Sequence, residues 1–341
     1  MTQEERGPVH APELEGGEWL QGGPVPIRGR GKPVLIDFWD YTCVNCLRTL
    51  PYMKEWHRRY EAMGLTVVGV HTPEFTFARN AEHVRRAIAH LELPYPVVLD
   101  ANGAIWQAYA NRYWPAKYFI DARGYIRATH FGEGGYLESE LAIQTLLREQ
   151  AGFDANTAFP EPVAPVRVED TPGAVCYRVT PELYCGFQRG MIGNVGEISP
   201  DRPQDYIDPG RHLEGMLYLE GDWLLGGENV ARPFGARRGK PSRMHLGYMG
   251  ADVNLVLHPP LAGGSATLRV LLDGAPIDPA HAGEDVRGGV ATIDVPRMYS
   301  LVKDTDVQHH DLVLETESDG LAAFAFTFTS CVVAPVEPVQ S

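Results

Sequence analysis

The sequence lacks the features that mark several classes of protein, and each absence excludes one of these classes. No run of apolar residues approaches the roughly 20 that a membrane-spanning helix needs, so no membrane span is expected. Positive charge is scarce, because 30 Lys and Arg stand against 44 Asp and Glu, a net charge of −14. Since nucleic-acid phosphates repel an acidic surface, no nucleic-acid partner is expected. The five cysteines are an odd number, which leaves at least one thiol unpaired and favours a reducing compartment.

The first residues also lack the basic segment and apolar core of a secretory signal peptide. The chain as written is therefore expected to be cytoplasmic, with an extracytoplasmic or periplasmic location as the alternative if it has been trimmed at this end. Of its 341 residues, 44% are hydrophobic and 22% are charged, which is the composition of a globular protein. This length favours two domains, each large enough to bury a core of its own.

What the sequence does contain is a pair of cysteines, Cys43 and Cys46, between an apolar segment (33–39) and a segment of helical spacing (47–56). The first sulfur should meet the unpaired N–H groups and positive dipole end of the helix, which stabilise a thiolate. The second sulfur lies one turn further on the same face, within reach of a disulfide. The motif predicts a redox-active dithiol in which Cys43 attacks and Cys46 resolves.

Two other interpretations of the pair stay open. Half of a structural zinc site would need two further ligands, and the sequence contains no second C-x-x-C or C-x-x-H. Two buried, inert thiols would need no further residue. No metal is expected elsewhere, because the residues of the run His309-His310-Asp311 should alternate between the two faces of a strand.

The segment 34–56 resembles the active site of thioredoxin-fold proteins, specifically the thiol reductants of the TlpA, ResA and DipZ type. Asp37 stands where thioredoxins carry a buried acid, and Pro51 where they carry a helix-kinking proline. Trp114-Pro115 precedes a strand, where the family places a cis-proline against the disulfide. The segments VVGVHTPEF, NRYWPAKYFIDARG, HFGEGGY and TPELYCG extend the resemblance to DipZ-type extracytoplasmic parts over most of the chain.

The residues around the cysteines depart from the usual thioredoxin motif. Thr42 stands where a tryptophan is usual, and Val44 and Asn45 replace the Gly-Pro pair between the cysteines. Because this dipeptide influences the acidity of the thiol, the reduction potential stays open. A thiol peroxidase of the peroxiredoxin (AhpC/TSA) type is an alternative enzyme, but Ile36 and Asp40 stand where its peroxide pocket needs proline and threonine.

Six further residues are assigned to the site. Asp37 is expected to lie buried under the cysteines and take the proton of Cys46, or else to be a structural acid paired with a lysine. The resemblance adds Pro115 and a second acid, Glu74, for which a solvated glutamate is the alternative. The residues expected to contact the substrate are Trp39, Thr42 and Trp114, with core packing as the alternative for the two tryptophans.

The chain is expected to divide into two domains. Residues 1–150 are predicted to form a thioredoxin-like α/β domain, a central mixed sheet with an inserted αβ unit, and the Pro-rich residues 151–174 a linker. Residues 175–335 contain about seven short alternating runs separated by Gly and Pro, which predicts an all-β sandwich. This half resembles the jelly-roll module, similar to carbohydrate-binding modules, that follows the thioredoxin part in DipZ-type proteins.

The second domain is predicted to bind a glycan or a protein partner. Sugar binding needs exposed aromatic side chains, and the candidates, each with core packing as its alternative, are Tyr206, Tyr218, Trp223 and Tyr248. Cys176 and Cys185 could form a disulfide, but buried free thiols are favoured in a reducing compartment. Cys331 ends an apolar strand and is expected in the core.

Together these observations predict a thiol-disulfide oxidoreductase that exchanges electrons with disulfide-containing protein substrates and with an upstream electron donor. No metal or organic cofactor is needed for that chemistry. The alternative is a glycan- or protein-binding module in which the redox domain is an accessory. The sequence identifies neither the substrate nor the direction of electron flow.

Overall fold

The computed structural model describes residues 9–154, 156–171, 174–196, 198–329 and 331–332. The chain forms two compact units, Met1–Val166 and Arg167–Ser341, with their boundary inside the predicted linker. The first unit is α/β and the second is all-β, which confirms the predicted fold class. Within the described ranges, no helix is both long and apolar enough to cross a membrane.

The first unit is a seven-stranded mixed sheet in the order β1-β7-β6-β3-β4-β5-β2. Its elements are β1 (Val9–His10), β2 (Glu18–Gln21), β3 (Val34–Trp39), α1 (Val44–Tyr60), β4 (Thr66–His71), α2 (Ala81–His90), β5 (Val97–Leu99), α3 (Ala104–Ala108), β6 (Ala116–Ile120), β7 (Tyr125–Phe131) and α4 (Tyr136–Glu149). Strands β3, β4 and β5 run parallel, whereas β6 pairs antiparallel with β3. The predicted inserted αβ unit is α2 with β5.

The central strand β3 decides which side chains lie under the cysteines. All six of its residues are buried, and side chains alternate between the two faces of a strand. Leu35 and Trp39 belong to the apolar layer that contains the inner face of α1, while Ile36 and Phe38 belong to the opposite layer. Asp37 falls between Leu35 and Trp39 in this alternation. Its carboxyl group is therefore on the side of the sheet that α1 covers.

Helix α1 begins at the cysteine pair because Cys43 acts as its N-cap. The sulfur of Cys43 accepts a hydrogen bond from the N–H of Cys46 at 3.2 Å, the role that Ser or Asp usually has at this position. Pro51 lies inside the helix, as predicted. Met53 and Trp56 are fully buried against the sheet, and burial of one such side chain contributes about 1.5–3 kcal/mol.

Part of the predicted linker belongs to the first unit. Phe159 and Val163 pack against the apolar layer beneath α1, and the N–H of Val163 donates to the carboxylate of Glu140 at 2.7 Å. The N–H of Val166 donates to the hydroxyl of Tyr52 at 2.8 Å. Because these bonds fix the backbone, the described residues of this stretch up to Val166 belong to the first unit.

Within the described residues, the second unit consists of antiparallel strands around one core. Eleven strands form one sheet, and the first and last strands of the unit pair in a small separate sheet. Its strands are β8 (Val175–Cys176), β9 (Leu183–Tyr184), β10 (Pro203–Tyr206), β11 (Tyr218–Leu225), β12 (Val230–Ala231), β13 (Ser242–His258), β14 (Ala266–Leu272), β15 (Ala275–Pro276), β16 (Val286–Arg287), β17 (Val290–Ile293), β18 (Arg297–Thr316), β19 (Ala322–Phe328) and β20 (Cys331–Val332). The longest, β13 and β18, have 17 and 20 residues and pair with each other through two register shifts.

The aromatic residues considered for sugar binding are in the core of this unit. Each is less than 5% exposed, and the four are Tyr206, Tyr218, Trp223 and Tyr248. A buried ring cannot stack on a ligand, so core packing is correct for all four. Cys185 is a buried free thiol, as favoured over a disulfide with Cys176. The expectations for the side chains of Cys176 and Cys331 fall outside what the structure describes.

Candidate active site

The turn between β3 and α1 presents the two sulfurs differently. Cys43 is half-buried, whereas Cys46 is only 1% exposed, and both thiols are free. The N–H of Cys43 donates to the carbonyl of Asp40 at 3.2 Å, and this bond closes the turn that starts the helix. Only Cys43 can therefore meet a disulfide on another molecule. Cys46 can reach only a sulfur that Cys43 has already bound.

A buried acid lies under the dithiol, opposite a buried lysine. Asp37 and Lys117 are directly paired across β3 and β6, and both are 0% exposed. Neither carboxylate oxygen of Asp37 has a hydrogen-bond partner among the residues that the structure describes. The Lys117 ammonium lies 3.5 Å from the carbonyl of Gly132. The sequence left open an acid that serves Cys46 or one that pairs with lysine. Asp37 is close enough to both Cys46 and Lys117 for its charge to act on them, and its role as proton acceptor stays a prediction.

The surroundings shift the pKa values of this group of residues in directions that suit proton transfer. Burial raises the pKa of Asp37 to about 7, although the nearby positive charge of Lys117 opposes the shift. Burial also raises the pKa of the Cys46 thiol, and the sulfur of Cys43 and the charge of Asp37 add to the effect. The pKa of Lys117 is lowered by burial. At neutral pH, Asp37 can thus both accept and release a proton.

A second buried acid, Asp40, organises the loop that carries Cys43, and the sequence analysis did not assign it a role. Its carboxylate accepts hydrogen bonds from the Thr42 N–H at 2.7 Å, from the Thr42 hydroxyl at 2.8 Å and from the Glu74 N–H at 2.6 Å. Burial opposes ionisation of Asp40, but these bonds and the adjacent His71 outweigh it and lower its pKa. The ionised carboxylate therefore joins the loop after β3 to the loop after β4.

His71 completes this buried cluster. Its Nε2 lies 3.6 Å from the Asp40 carboxylate, and its ring stacks on Tyr41 with centroids 5.4 Å apart. Trp39 packs edge-on against the same ring at 5.1 Å. The sequence did contain a sign of the role of Asp40, because a carboxylate three residues before the N-cap residue of a helix can accept hydrogen bonds from the turn that starts the helix. Its bond to Glu74 is a contact between distant segments that spacing does not reveal.

Two of the residues expected to contact the substrate do not reach the surface. Trp39 is fully buried against His71, so core packing is correct for this residue. Thr42 is 2% exposed and uses its hydroxyl to bond Asp40, so the expected contact with a substrate is wrong for its side chain. Both residues support the loop of Cys43 from inside.

Replacing Thr42 by valine tests this supporting role. The substitution keeps the shape of the side chain but removes one donor to the ionised Asp40 carboxylate, and hydrogen bonds to charged groups contribute about 1.5–3 kcal/mol. We expect the free energy of unfolding of the first unit to fall by about 1–3 kcal/mol in urea titrations. Thr129→Val on the exposed side of β7 is the matched control, with an expected change below about 0.5 kcal/mol. Equal effects of the two changes would contradict the role of Thr42.

The loop that leads into β6 lies beside the dithiol. Ala116 pairs with Phe38, so Pro115 is at the edge of the sheet where β3 continues towards Cys43. The Trp114–Pro115 peptide bond is cis, as the resemblance implied. The indole N–H of Trp114 donates to the carbonyl of Thr72 at 2.9 Å, which ties this loop to the end of β4.

Exposed aromatic side chains at this edge were missed by the sequence analysis. Tyr113 is 54% exposed and Phe131 is 48% exposed, and their ring centroids are 5.2 Å apart. Phe131 pairs with Ala116 in the sheet, next to Pro115. Ala116 is in turn paired with Phe38, whose side chain belongs to the layer opposite α1. The patch of Tyr113 and Phe131 therefore lies on the face of the sheet away from the helix that carries the cysteines.

Glu74 lies in the loop after β4, as predicted, and its backbone is fixed by Asp40. The role of its carboxylate as a second proton acceptor stays a prediction. The site thus brings Asp37, Cys43 and Cys46 together with Pro115 nearby, and it adds Lys117, Asp40 and His71 behind them.

Two family models match the chain, one within each unit. Residues 20–129 match the model of the AhpC/TSA family, and residues 180–329 match the model described as thioredoxin like C-terminal domain. A solved thioredoxin-like protein in its oxidised form is 30% identical, with a TM-score of 0.38, over 41% of this chain and 96% of that protein.

Curated relatives match either the whole chain or a part of it. Protein DipZ of Mycobacterium tuberculosis (strain CDC 1551 / Oshkosh) is 34% identical over 324 residues, which are 93% of this chain and 42% of DipZ. The chain therefore spans less than half the length of this relative. Thiol-disulfide oxidoreductase YkuV of Bacillus subtilis (strain 168) is 33% identical over 140 residues, which are 40% of this chain and 94% of YkuV. On this similarity and the dithiol at the start of α1, the chain belongs to the thioredoxin-fold thiol-disulfide oxidoreductases of the TlpA, ResA and DipZ type.

Proposed function

We propose that this protein exchanges electrons with disulfides of other proteins through Cys43 and Cys46. The observation that carries the proposal is the difference between the sulfurs, one half-exposed at a helix N-terminus and one buried beside Asp37. This arrangement separates an attacking thiol from a resolving thiol. A structural pair of cysteines would not need an acid with a pKa of about 7 beneath it.

In the first step the Cys43 thiolate attacks one sulfur of the substrate disulfide. A Cys43–substrate S–S bond forms, the substrate S–S bond breaks, and the other substrate sulfur leaves as a thiolate that takes a proton from water. The N–H of Cys46 already points at the attacking sulfur, and the dipole of α1 favours its negative charge.

In the second step the buried thiol of Cys46 gives its proton to the carboxylate of Asp37 and attacks the sulfur of Cys43. The mixed disulfide breaks, the second substrate sulfur leaves, and Cys43 and Cys46 become a disulfide. Two electrons have moved from the protein to the substrate, and a dithiol donor must return them. Because burial and Asp37 raise the pKa of Cys46, this thiol needs such a base before it can react.

The exposure of the two sulfurs limits the kind of substrate. Cys43 is only half-exposed at the start of α1 and Cys46 is buried, so a disulfide enclosed in another folded domain does not reach the attacking sulfur. We therefore propose that the substrate is an exposed disulfide in a flexible protein segment.

The test compares two oxidants in the presence of dithiothreitol as the electron donor. We expect steady reduction of insulin disulfides and no turnover of hydrogen peroxide beyond that of a Cys43→Ser control. A thiolate has some reactivity towards peroxide, so the comparison is made between turnover rates and not between single reactions. Faster turnover of peroxide than of insulin would replace the proposal by a thiol peroxidase.

A further inference from the structure

The second unit contains a cluster of side chains of the types that bind metal ions, whereas the dithiol belongs to the first unit. Asp208 and His212 lie in the loop between β10 and β11, and His245 lies on β13. One ligand atom from each residue lies within 4.8 Å of the others. Within the described part of the chain, no other group of three His, Cys, Asp or Glu residues meets this distance. The separation of these residues in sequence hides the group from a search for short motifs.

The contacts inside the cluster are short. Nε2 of His212 lies 2.8 Å from the Asp208 carboxylate, and the His212 and His245 rings stack with centroids 5.0 Å apart. His245 is 8% exposed. Both rings therefore place a ring nitrogen within reach of the Asp208 carboxylate.

Glu220 supplies the outer contact that metal-binding histidines usually have. Its carboxylate lies 3.1 Å from Nε2 of His245. Arg243 holds both oxygens of Glu220 at 3.2 Å. Carboxylates in this position fix the orientation of a ligating imidazole. An ordinary ion pair between Asp208 and His212 would not need the second histidine or its oriented ring.

We propose that Asp208, His212 and His245 bind a divalent transition-metal ion of the Zn²⁺ class. Two imidazole nitrogens and one carboxylate oxygen match the ligands that Zn²⁺ prefers, whereas Ca²⁺ and Mg²⁺ prefer oxygen ligands alone. In a tetrahedral site the ligand atoms are about 3.3 Å apart. The Asp208 carboxylate and Nε2 of His212, now 2.8 Å apart, must therefore separate slightly to admit an ion, while all three ligand atoms already lie within 4.8 Å of one another. The ion takes the place of the proton between Asp208 and His212 and leaves a fourth position for water.

Zinc binding to the full-length protein tests this site, and the dithiol must first be removed as a competing ligand. Cys43 and Cys46 are therefore oxidised to a disulfide before Zn²⁺ alone is titrated by calorimetry. We expect one bound Zn²⁺ per chain. We also expect Zn²⁺ to raise the unfolding temperature of the second unit.

Single substitutions of the proposed ligands test whether the ion binds at these residues. Asp208→Asn and His212→Gln change half-buried loop residues, and each should weaken zinc binding by at least about 100-fold, since outer-shell changes alone cost about 10–100-fold. His90→Gln at the exposed end of α2 is the matched control and should bind zinc as the parent does. Circular dichroism verifies that the variants fold. No binding by the oxidised parent protein, or unchanged binding by His212→Gln, would overturn the proposal.

Discussion

Replacing Cys43 by serine should abolish reduction of insulin disulfides beyond the rate of dithiothreitol alone. A hydroxyl group at this position does not form the sulfur–sulfur bond of the first step, and no other described thiol is exposed enough to replace it. We expect a loss of at least about 1,000-fold, because removal of a nucleophile removes most of an enzyme's rate enhancement. The measurement is the initial rate of insulin reduction at a fixed concentration of dithiothreitol.

Replacing Cys46 by serine separates the two steps. The first step survives, but the mixed disulfide is no longer resolved, so the substrate should remain bound to Cys43 and be detected by mass spectrometry under non-reducing conditions. Cys185→Ala is the matched control, because this buried thiol belongs to the second unit and should not affect turnover. Normal turnover by the Cys43→Ser protein, or a trapped complex that lacks Cys43, would contradict the mechanism.

Replacing Asp37 by asparagine should slow the second step by about 100-fold, the scale of a lost general base. The pKa of Asp37 is about 7, so in the parent protein the carboxylate forms, and the rate of this step rises, as the pH increases through neutrality. Asparagine has a similar shape and cannot accept the proton. The measurement is the rate at which a preformed Cys43–substrate mixed disulfide releases its thiol, between about pH 5.5 and about pH 8.5.

The pH profile distinguishes a proton acceptor from a residue that only supports the fold. In the Asn variant the inflection near neutrality should disappear, whereas a change in packing would lower the rate at every pH and keep the inflection. Glu138→Gln, which alters an exposed acid of the same unit, should keep both the rate and the profile. An Asp37→Asn protein that still shows the inflection would remove Asp37 from the proton path.

Local patterns predicted most of the first unit. Strand β3, helix α1 and the proline within the helix could be predicted, because each depends on residues that are close together in the sequence. The cis Trp114–Pro115 bond came from the resemblance, whereas the structure added a second cis bond at Gly23–Pro24 that no pattern had indicated. The sequence did not decide whether Trp39 is buried, because an aromatic residue beside a catalytic loop is equally suited to the core and to the surface.

What the sequence could not predict depends on contacts between distant segments. Asp40 meets Glu74 and His71 only after two strands align, and no spacing along the chain encodes that alignment. In the second unit, β13 and β18 are much longer than the short runs that the sequence predicted, because both contain polar residues and β13 contains glycines such as Gly247 and Gly250. Pairing between these two strands stabilises them and outweighs the weak β-strand propensity of their residues. The compartment stays a prediction, and for the reduction potential the sequence made none.

The segment that follows α4 determines where a fragment that contains the first unit must end. Glu140 is 1% exposed and accepts hydrogen bonds from the side chains of Trp56 and Tyr60. It also accepts one from the N–H of Val163, which lies in this segment. A fragment that ends at residue 150 would lack this last donor and would uncover the carboxylate along with the rings around it. A fragment that ends at Val166 would keep them covered. For dissection, for fusion to another protein or for exchange between relatives, the first unit therefore ends at Val166, sixteen residues beyond the last residue of the predicted domain.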